Sequence, residues 1–188
     1  MKRLVIFASG AGSNAENIMR YFAENPSVEV TAIFTNKASA GVLSKAEKFG
    51  VESIIFSKDE LNDGSVCDEV NKIKPDLIIL SGFLLKFPDD IIAAYPNRII
   101  NIHPALLPKY GGKGMYGMHV HRAIAENKET ETGITIHYVD AHYDEGDIIF
   151  QQSVQLDGSE TCDEISAKVQ MLEHEHFPRV IAEIINNQ

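Results

Sequence analysis

The stretch Arg98-Ile99-Ile100-Asn101-Ile102-His103-Pro104-Ala105-Leu106-Leu107-Pro108-Lys109-Tyr110 runs from an apolar, strand-like segment into two polar residues and a proline. On an extended backbone alternate side chains share a face, so Asn101 and His103 point the same way. Pro104 has no N–H and a fixed φ, so a hydrogen-bonded ladder stops there. An amide and an imidazole therefore stand side by side at the carboxyl end of a strand, which is where ligands bind in open α/β sheets. An imidazole exchanges protons near neutral pH, and an amide N–H can stabilise a developing oxyanion. The alternative is that both side chains merely satisfy backbone groups beside Pro104.

On the N-terminal side of this strand, apolar runs alternate with helix-like stretches. Strands are predicted at Leu4–Ala8, Val28–Phe34, Val51–Phe56, Asp76–Leu80 and Arg98–Ile102. Helices are predicted at Asn14–Phe22, Ala40–Phe49, Leu61–Ile73 and Pro88–Ala94, with Gly50 as a C-terminal stop and Pro88 as a start. This alternation predicts an α/β fold: a Rossmann-like, mostly parallel sheet with helices on both faces. After Pro108 the pattern changes. Gly111–Met118 is a glycine-rich loop, a short helix spans His121–Glu126, and Glu131–Val139 and Ile148–Leu156 read as an antiparallel addition. A long last helix opens on a Thr161/Glu164 capping box, and Pro178 should kink it. No repeat or linker is visible, so residues 1–188 are expected to form a single domain.

The chain has 188 residues, 44% of them hydrophobic, enough for a substantial core. No run approaches the roughly 18 apolar residues that cross a bilayer. Met1–Ala8 resembles the start of a signal peptide, but Gly10–Asn14 follows too soon for an apolar region of usual length. The only two cysteines, Cys67 and Cys162, stand in no paired motif, which excludes a disulfide framework and fits a reducing, cytoplasmic setting. No Cys or His cluster has zinc-ligand spacing, so no metal is expected. The net charge of -10 argues against nucleic acid as a partner but leaves room for a small anion.

A second candidate is Ser9-Gly10-Ala11-Gly12-Ser13-Asn14, a strand–turn–helix junction. Its glycines admit close backbone approach, and the helix start offers free N–H groups and a positive dipole end, so phosphate is the natural ligand. A dinucleotide fingerprint would also require an acid at the end of the second strand, where the chain reads Phe34-Thr35-Asn36-Lys37. The plain alternative is a tight turn with Ser13 or Asn14 capping the helix. Asp144 lies in an acidic loop, where a carboxylate could orient an imidazole, but Asp140, Glu145 and Asp147 compete and composition does not choose. Glu173 falls near the apolar stripe of the last helix and either meets a ligand's polar groups or reaches solvent. His137 reads as a strand residue with a satisfied ring. His119 and His121, two apart near a helix start, are expected to be exposed.

Taken in order, Gly12-Ser13-Asn14, Ser81-Gly82-Phe83, Asn101-Ile102-His103-Pro104-Ala105-Leu106-Leu107-Pro108-Lys109-Tyr110, Gly133-Ile134-Thr135-Ile136-His137-Tyr138-Val139 and Asp144 resemble the phosphoribosylglycinamide formyltransferase family, the folate-dependent transformylases of purine synthesis. The resemblance covers essentially the whole chain. It implies the formyltransferase fold and formyl transfer from the co-substrate 10-formyltetrahydrofolate to glycinamide ribonucleotide, with no metal. It implies Asn101, His103 and Asp144 as catalytic residues, His103 as general acid, Asn101 as oxyanion donor, and Asp144 raising the histidine's pKa. Gly12, Ser13 and Asn14 would take the phosphate and Glu173 the ribose hydroxyls. Leu84, Leu85, Lys86 and Phe87 would line the folate pocket beside Asn101, and Lys58 would meet the folate tail. The partners are then small molecules, with a monomer or homodimer equally open. Two features depart from the family pattern: Gly111–Met118 is longer than the usual connection before His119-Val120-His121-Arg122, and Lys86 stands where the lining is usually apolar. Kindred transferases acting on sugar nucleotides or methionyl-tRNA share the Asn-x-His logic. The tRNA enzymes carry a further C-terminal domain, and formyltetrahydrofolate hydrolases a preceding regulatory one. A non-catalytic nucleotide-binding module resting only on Gly10–Asn14 is the reading from a different class.

Overall fold

Residues 1–187 are described by a computed structural model. The elements follow the order β1 (Lys2–Phe7), α1 (Ser13–Phe22), β2 (Val28–Thr35), α2 (Val42–Phe49), β3 (Glu52–Ile55), α3 (Lys58–Asn62), α4 (Ser65–Ile73), β4 (Leu77–Leu80), α5 (Asp89–Ala94), β5 (Ile99–His103), α6 (Met118–Glu126), β6 (Glu131–Tyr138), β7 (Ile148–Gln155) and α7 (Cys162–Asn186). The sheet has seven strands in the order β3-β2-β1-β4-β5-β6-β7, flanked by helices. Strand β1 pairs in parallel with β2 and β4, and β2 in parallel with β3. Strands β6 and β7 pair antiparallel, with a register shift between Ile136 and His137. The fully apolar runs of β1 and β4 are buried along their length, as parallel strands covered on both faces must be.

The described chain groups into two compact units, residues 1–100 with 181–187 and residues 101–180. In the first, Phe7 is fully buried, stacked on Phe34 at 4.7 Å and met edge-on by Phe83 at 5.5 Å and Phe87 at 5.0 Å. Ser9 ties three strand ends of this unit together. Its hydroxyl donates to Asn36 Oδ1 (2.7 Å) and accepts from the N–H of Leu84 (3.1 Å). Gly12 caps α1 with φ 70°, and a Cβ there would lie 2.6 Å from Val42 Cβ. The turn therefore needs glycine for two separate reasons. In the second unit, the Thr135 hydroxyl donates to the carbonyl of Ala105 (2.7 Å) and accepts from the N–H of Leu107 (3.0 Å). Gln151 Nε2 donates to Thr135 Oγ1 (2.9 Å) and to the carbonyl of Leu107 (3.0 Å). The exit from β5 is thus anchored to β6 and β7.

Two expectations are corrected, those for residues 61–73 and for His121. The helix expected over Leu61–Ile73 is two helices, because Gly64 takes φ 93° and breaks the run after Asp63. The last helix continues through Pro178 as one 25-residue element. His121 is buried at 5% exposure, since α6 begins at Met118 and turns Val120, His121 and Ile124 inward. The Thr161/Glu164 box is present: the Glu164 carboxylate accepts the Thr161 N–H (2.8 Å) and Thr161 Oγ1 accepts that of Glu164 (3.3 Å). No helix among the described residues is long and apolar enough to cross a membrane.

Replacing Gly12 by alanine imposes a left-handed backbone on a residue with a Cβ and drives that Cβ into Val42. The expected cost is about 2–4 kcal/mol, read as a lower urea midpoint with an unchanged slope.

Candidate active site

The second unit brings four sequence-marked side chains together at the end of β5. His103 is 3% exposed. Its Nε2 lies 2.7 Å from the carbonyl of Tyr110, which can only accept, so Nε2 carries the hydrogen and donates. Its Nδ1 faces Asp144 Oδ2 at 3.6 Å, longer than a hydrogen bond. His137, 2% exposed, meets the carbonyl of Tyr138 through Nδ1 at 2.8 Å. That carbonyl likewise assigns the hydrogen to Nδ1, so in the neutral ring Nε2 accepts. The Asn101 amide donates to it from Nδ2 at 3.1 Å. The orientation of the Asn101 amide is therefore set by His137, and its second N–H is left over from this contact. Asp144 Oδ1 stands 3.5 Å from His137 Nε2.

Asp144 is the acid brought to the imidazoles. Asp140 instead accepts from the backbone of His142. The Asp144 backbone is left-handed (φ 57°), and its Oδ2 accepts the Gly112 N–H at 2.9 Å. Gly111 packs closely here: a Cβ on it would lie 3.4 Å from that of Asp144 and would push Leu107 Cδ2 aside. The glycine-rich connection thus closes directly on the carboxylate.

Burial pushes the Asp144 carboxyl up, but contact with His137, the charge of His103 and the Gly112 N–H together hold it below the usual carboxylate range. For His103 burial dominates and lowers its pKa. Asp144 and the Tyr110 carbonyl pull it up, and His137 pulls it down again. The expected upward pull of Asp144 is real but outweighed, so the ring rests neutral at neutral pH. His121 is also lowered, by burial and by His103, and its Nδ1 has no hydrogen-bond partner.

Other sequence-marked residues lie elsewhere. Gly12 caps α1 with no side chain bonded to the helix end, so Ser13 and Asn14 are its first two residues and the helix does not depend on the predicted side-chain cap. Glu173 is half-buried on α7. Leu84 is 41% exposed, Leu85 half-buried and Phe87 buried under the Phe7 cluster. Lys86 turns outward and pairs with Asp89 (3.0 Å), and Lys58 is exposed at the start of α3. A cavity of about 400 Å³ in the first unit is lined by Asn62, Lys86 and Phe87 and by the acids Asp63, Asp89 and Asp90. Three carboxylates against one ammonium suit an anionic tail poorly. Leu84 and Leu85 suit an apolar heterocycle better. No group of three or more His, Cys, Asp or Glu among the described residues could hold a metal ion. Sequence reasoning missed Tyr110, Gly112, Thr135 and Gln151 because they act through backbone groups or anchor the loop. His137, read as a strand residue with a satisfied ring, is one: Asn101 and the Tyr138 carbonyl satisfy it inside the cluster.

Because His103 and His121 are lowered, the unfolded chain takes up protons first as pH falls below the ordinary histidine value of 6.5, so folding stability declines from there until the folded rings also protonate. Asp144, held below 3.8, adds stability that persists through this window and is lost only at lower pH. Urea unfolding from pH 7 to 5 should show the decline, and His121→Gln should flatten part of it. Identical slopes in the two proteins would contradict the assignment.

A family model described as Formyl transferase matches residues 2–181. The chain is 39% identical over 186 residues to the chloroplastic phosphoribosylglycinamide formyltransferase of Vigna unguiculata, covering 96% of this chain and 60% of that one, so it spans less than two thirds of this relative. It is 34% identical over 185 residues to the phosphoribosylglycinamide formyltransferase of Escherichia coli (strain K12), covering 95% and 85%. The crystal structure of phosphoribosylglycinamide formyltransferase from Anaplasma phagocytophilum matches with a TM-score of 0.90 at 26% identity, over 99% of this chain and 88% of that one. The chain belongs to the formyl transferase family.

Proposed function

We propose that the protein transfers a formyl group from 10-formyltetrahydrofolate to the primary amine of glycinamide ribonucleotide, a step of de novo purine (IMP) biosynthesis. The observation that carries this reading is the neutral, buried His103 with its Nδ1 turned to Asp144, next to an Asn101 amide whose donor end is set by His137. The names of the relatives support the choice of substrates. A single family match running through both compact units supports reading residues 1–188 as one formyltransferase domain.

In this reading the substrate amine attacks the formyl carbon, a C–N bond forms, and the carbonyl electron pair moves onto oxygen. The free N–H of Asn101 stabilises that oxyanion. His103 Nδ1 takes the proton leaving the amine, and Asp144 stabilises the imidazolium so formed. The imidazolium then gives its proton to the departing folate nitrogen as the bond to the formyl carbon breaks. His103 thus acts as general acid in the second half, after being charged in the first. Gly12, Ser13 and Asn14 take the substrate phosphate at the open end of α1, and Glu173 takes ribose hydroxyls. Leu84 and Leu85 carry the pteridine contact, with Phe87 supporting them from beneath. A cytoplasmic setting goes with this chemistry and is supported by the two free thiols.

An absorbance assay with 10-formyl-dideazafolate and glycinamide ribonucleotide tests the reading. His103→Ala and Asp144→Asn should each lower kcat by at least roughly 100-fold, the scale of lost acid–base catalysis, with urea unfolding still cooperative. Near-normal turnover in either folded variant would sink the assignment. Thermal stabilisation by a folate analogue supports the transferase, whereas stabilisation by NAD alone would favour a binding module.

A further inference from the structure

The two groups on which the proposed chemistry turns are held by one short piece of backbone. The carbonyl of Tyr110 accepts from His103 Nε2 (2.7 Å), and the N–H of Gly112, two residues on, donates to Asp144 Oδ2 (2.9 Å). Tyr110 takes φ 57°, a left-handed conformation that its own backbone does not favour. Something outside the backbone must hold it there, and the side chain shows what. The Tyr110 hydroxyl donates to Glu129 Oε1 (2.7 Å) and accepts from Asn127 Nδ2 (2.8 Å). Lys109 Nζ reaches the same Glu129 oxygen at 3.4 Å. Glu129 is mostly covered, its side chain 24% exposed, and stands in the connection between α6 and β6.

We infer that Glu129 is a positioning residue: by fixing the Tyr110 hydroxyl, it holds the Tyr110–Gly112 backbone that orients His103 and Asp144. The inference rests on the proposed acid–base role of that pair. The hydrogen bond to Tyr110 is the main reason the Glu129 carboxyl lies below the usual range. The groups facing His103 are Asp144, the Tyr110 carbonyl, His137 on β6 and His121 on α6. Of these, the two that favour a charged ring, Asp144 and the Tyr110 carbonyl, both contact the clamped backbone. Loosening it should therefore make His103 harder to protonate.

Glutamine at position 129 keeps an oxygen able to accept from Tyr110, whereas alanine does not. The test follows the His103 ring by NMR titration in wild type, Glu129→Gln, Glu129→Ala and Tyr110→Phe, alongside kcat–pH profiles. The His103 midpoint should move down in Glu129→Ala and Tyr110→Phe and stay at the wild-type position in Glu129→Gln. In the same two variants kcat should fall roughly tenfold, the loss expected from one hydrogen bond, with KM for both substrates little changed. An unmoved midpoint in Glu129→Ala, or an equal shift in Glu129→Gln, overturns the inference. If wild type shows no formyl transfer but the midpoints move as stated, the positioning role stands and the transferase reading fails.

Discussion

Two imidazoles and a carboxylate share a space nearly closed to water, and each of their polar atoms must be partnered there. This requirement explains much of the local backbone. His103 needs an acceptor for Nε2, and Tyr110 turns its carbonyl inward at φ 57° to supply it. His137 needs an acceptor for Nδ1 and a donor for Nε2, and takes them from the Tyr138 carbonyl and the Asn101 amide. Asp144 needs N–H groups and takes one from Gly112, again from a left-handed backbone. A left-handed conformation in a residue with a side chain costs about 1–3 kcal/mol and persists only where its surroundings over-determine it. Here the surroundings are the buried cluster on one side and, for Tyr110, the Glu129–Asn127 pair on the other.

The same burial sets the balance of charge. A histidine fully paired with a carboxylate would be expected to rest protonated, but removing the ring from water disfavours its charged form more strongly than Asp144 and the Tyr110 carbonyl favour it. A neutral ring beside an ionised carboxylate is poised to take a proton rather than to give one. An imidazolium formed there would be stabilised at once by a partner already in place. The loose 3.6 Å contact between Nδ1 and Asp144 is where that balance can change.

Much of the fold was legible in the chain. Alternating apolar and helix-like stretches predicted the parallel strands and their helices because covering a sheet on both faces demands continuous apolar runs, as in β1 and β4. Failures came where one residue's conformation overrode periodicity. Gly64 split the helix expected over Leu61–Ile73. The nearness of Asn101 and His103 was legible because alternation along a strand is a local rule. Periodicity and composition did not choose Asp144 over its acidic neighbours, which only the family resemblance singled out, since the choice depends on a loop folding back onto another strand's end. Lys86 shows the same limit: the sequence left its direction open, and its partner is Asp89, three residues along the chain.

By itself the sequence determined which residue types stand at the ends of which strands: a glycine turn after β1, an amide and an imidazole closing β5, and an acidic loop between β6 and β7. These follow from local periodicity and from where proline and glycine stop it. Only the tertiary structure decided which acid meets the imidazole, which ring nitrogen carries the hydrogen, and that the ring rests neutral. Those outcomes depend on burial and on backbone carbonyls and amides brought together from distant segments, such as Tyr110, Gly112 and Tyr138, whose side-chain identities do not reveal where their main-chain groups will point.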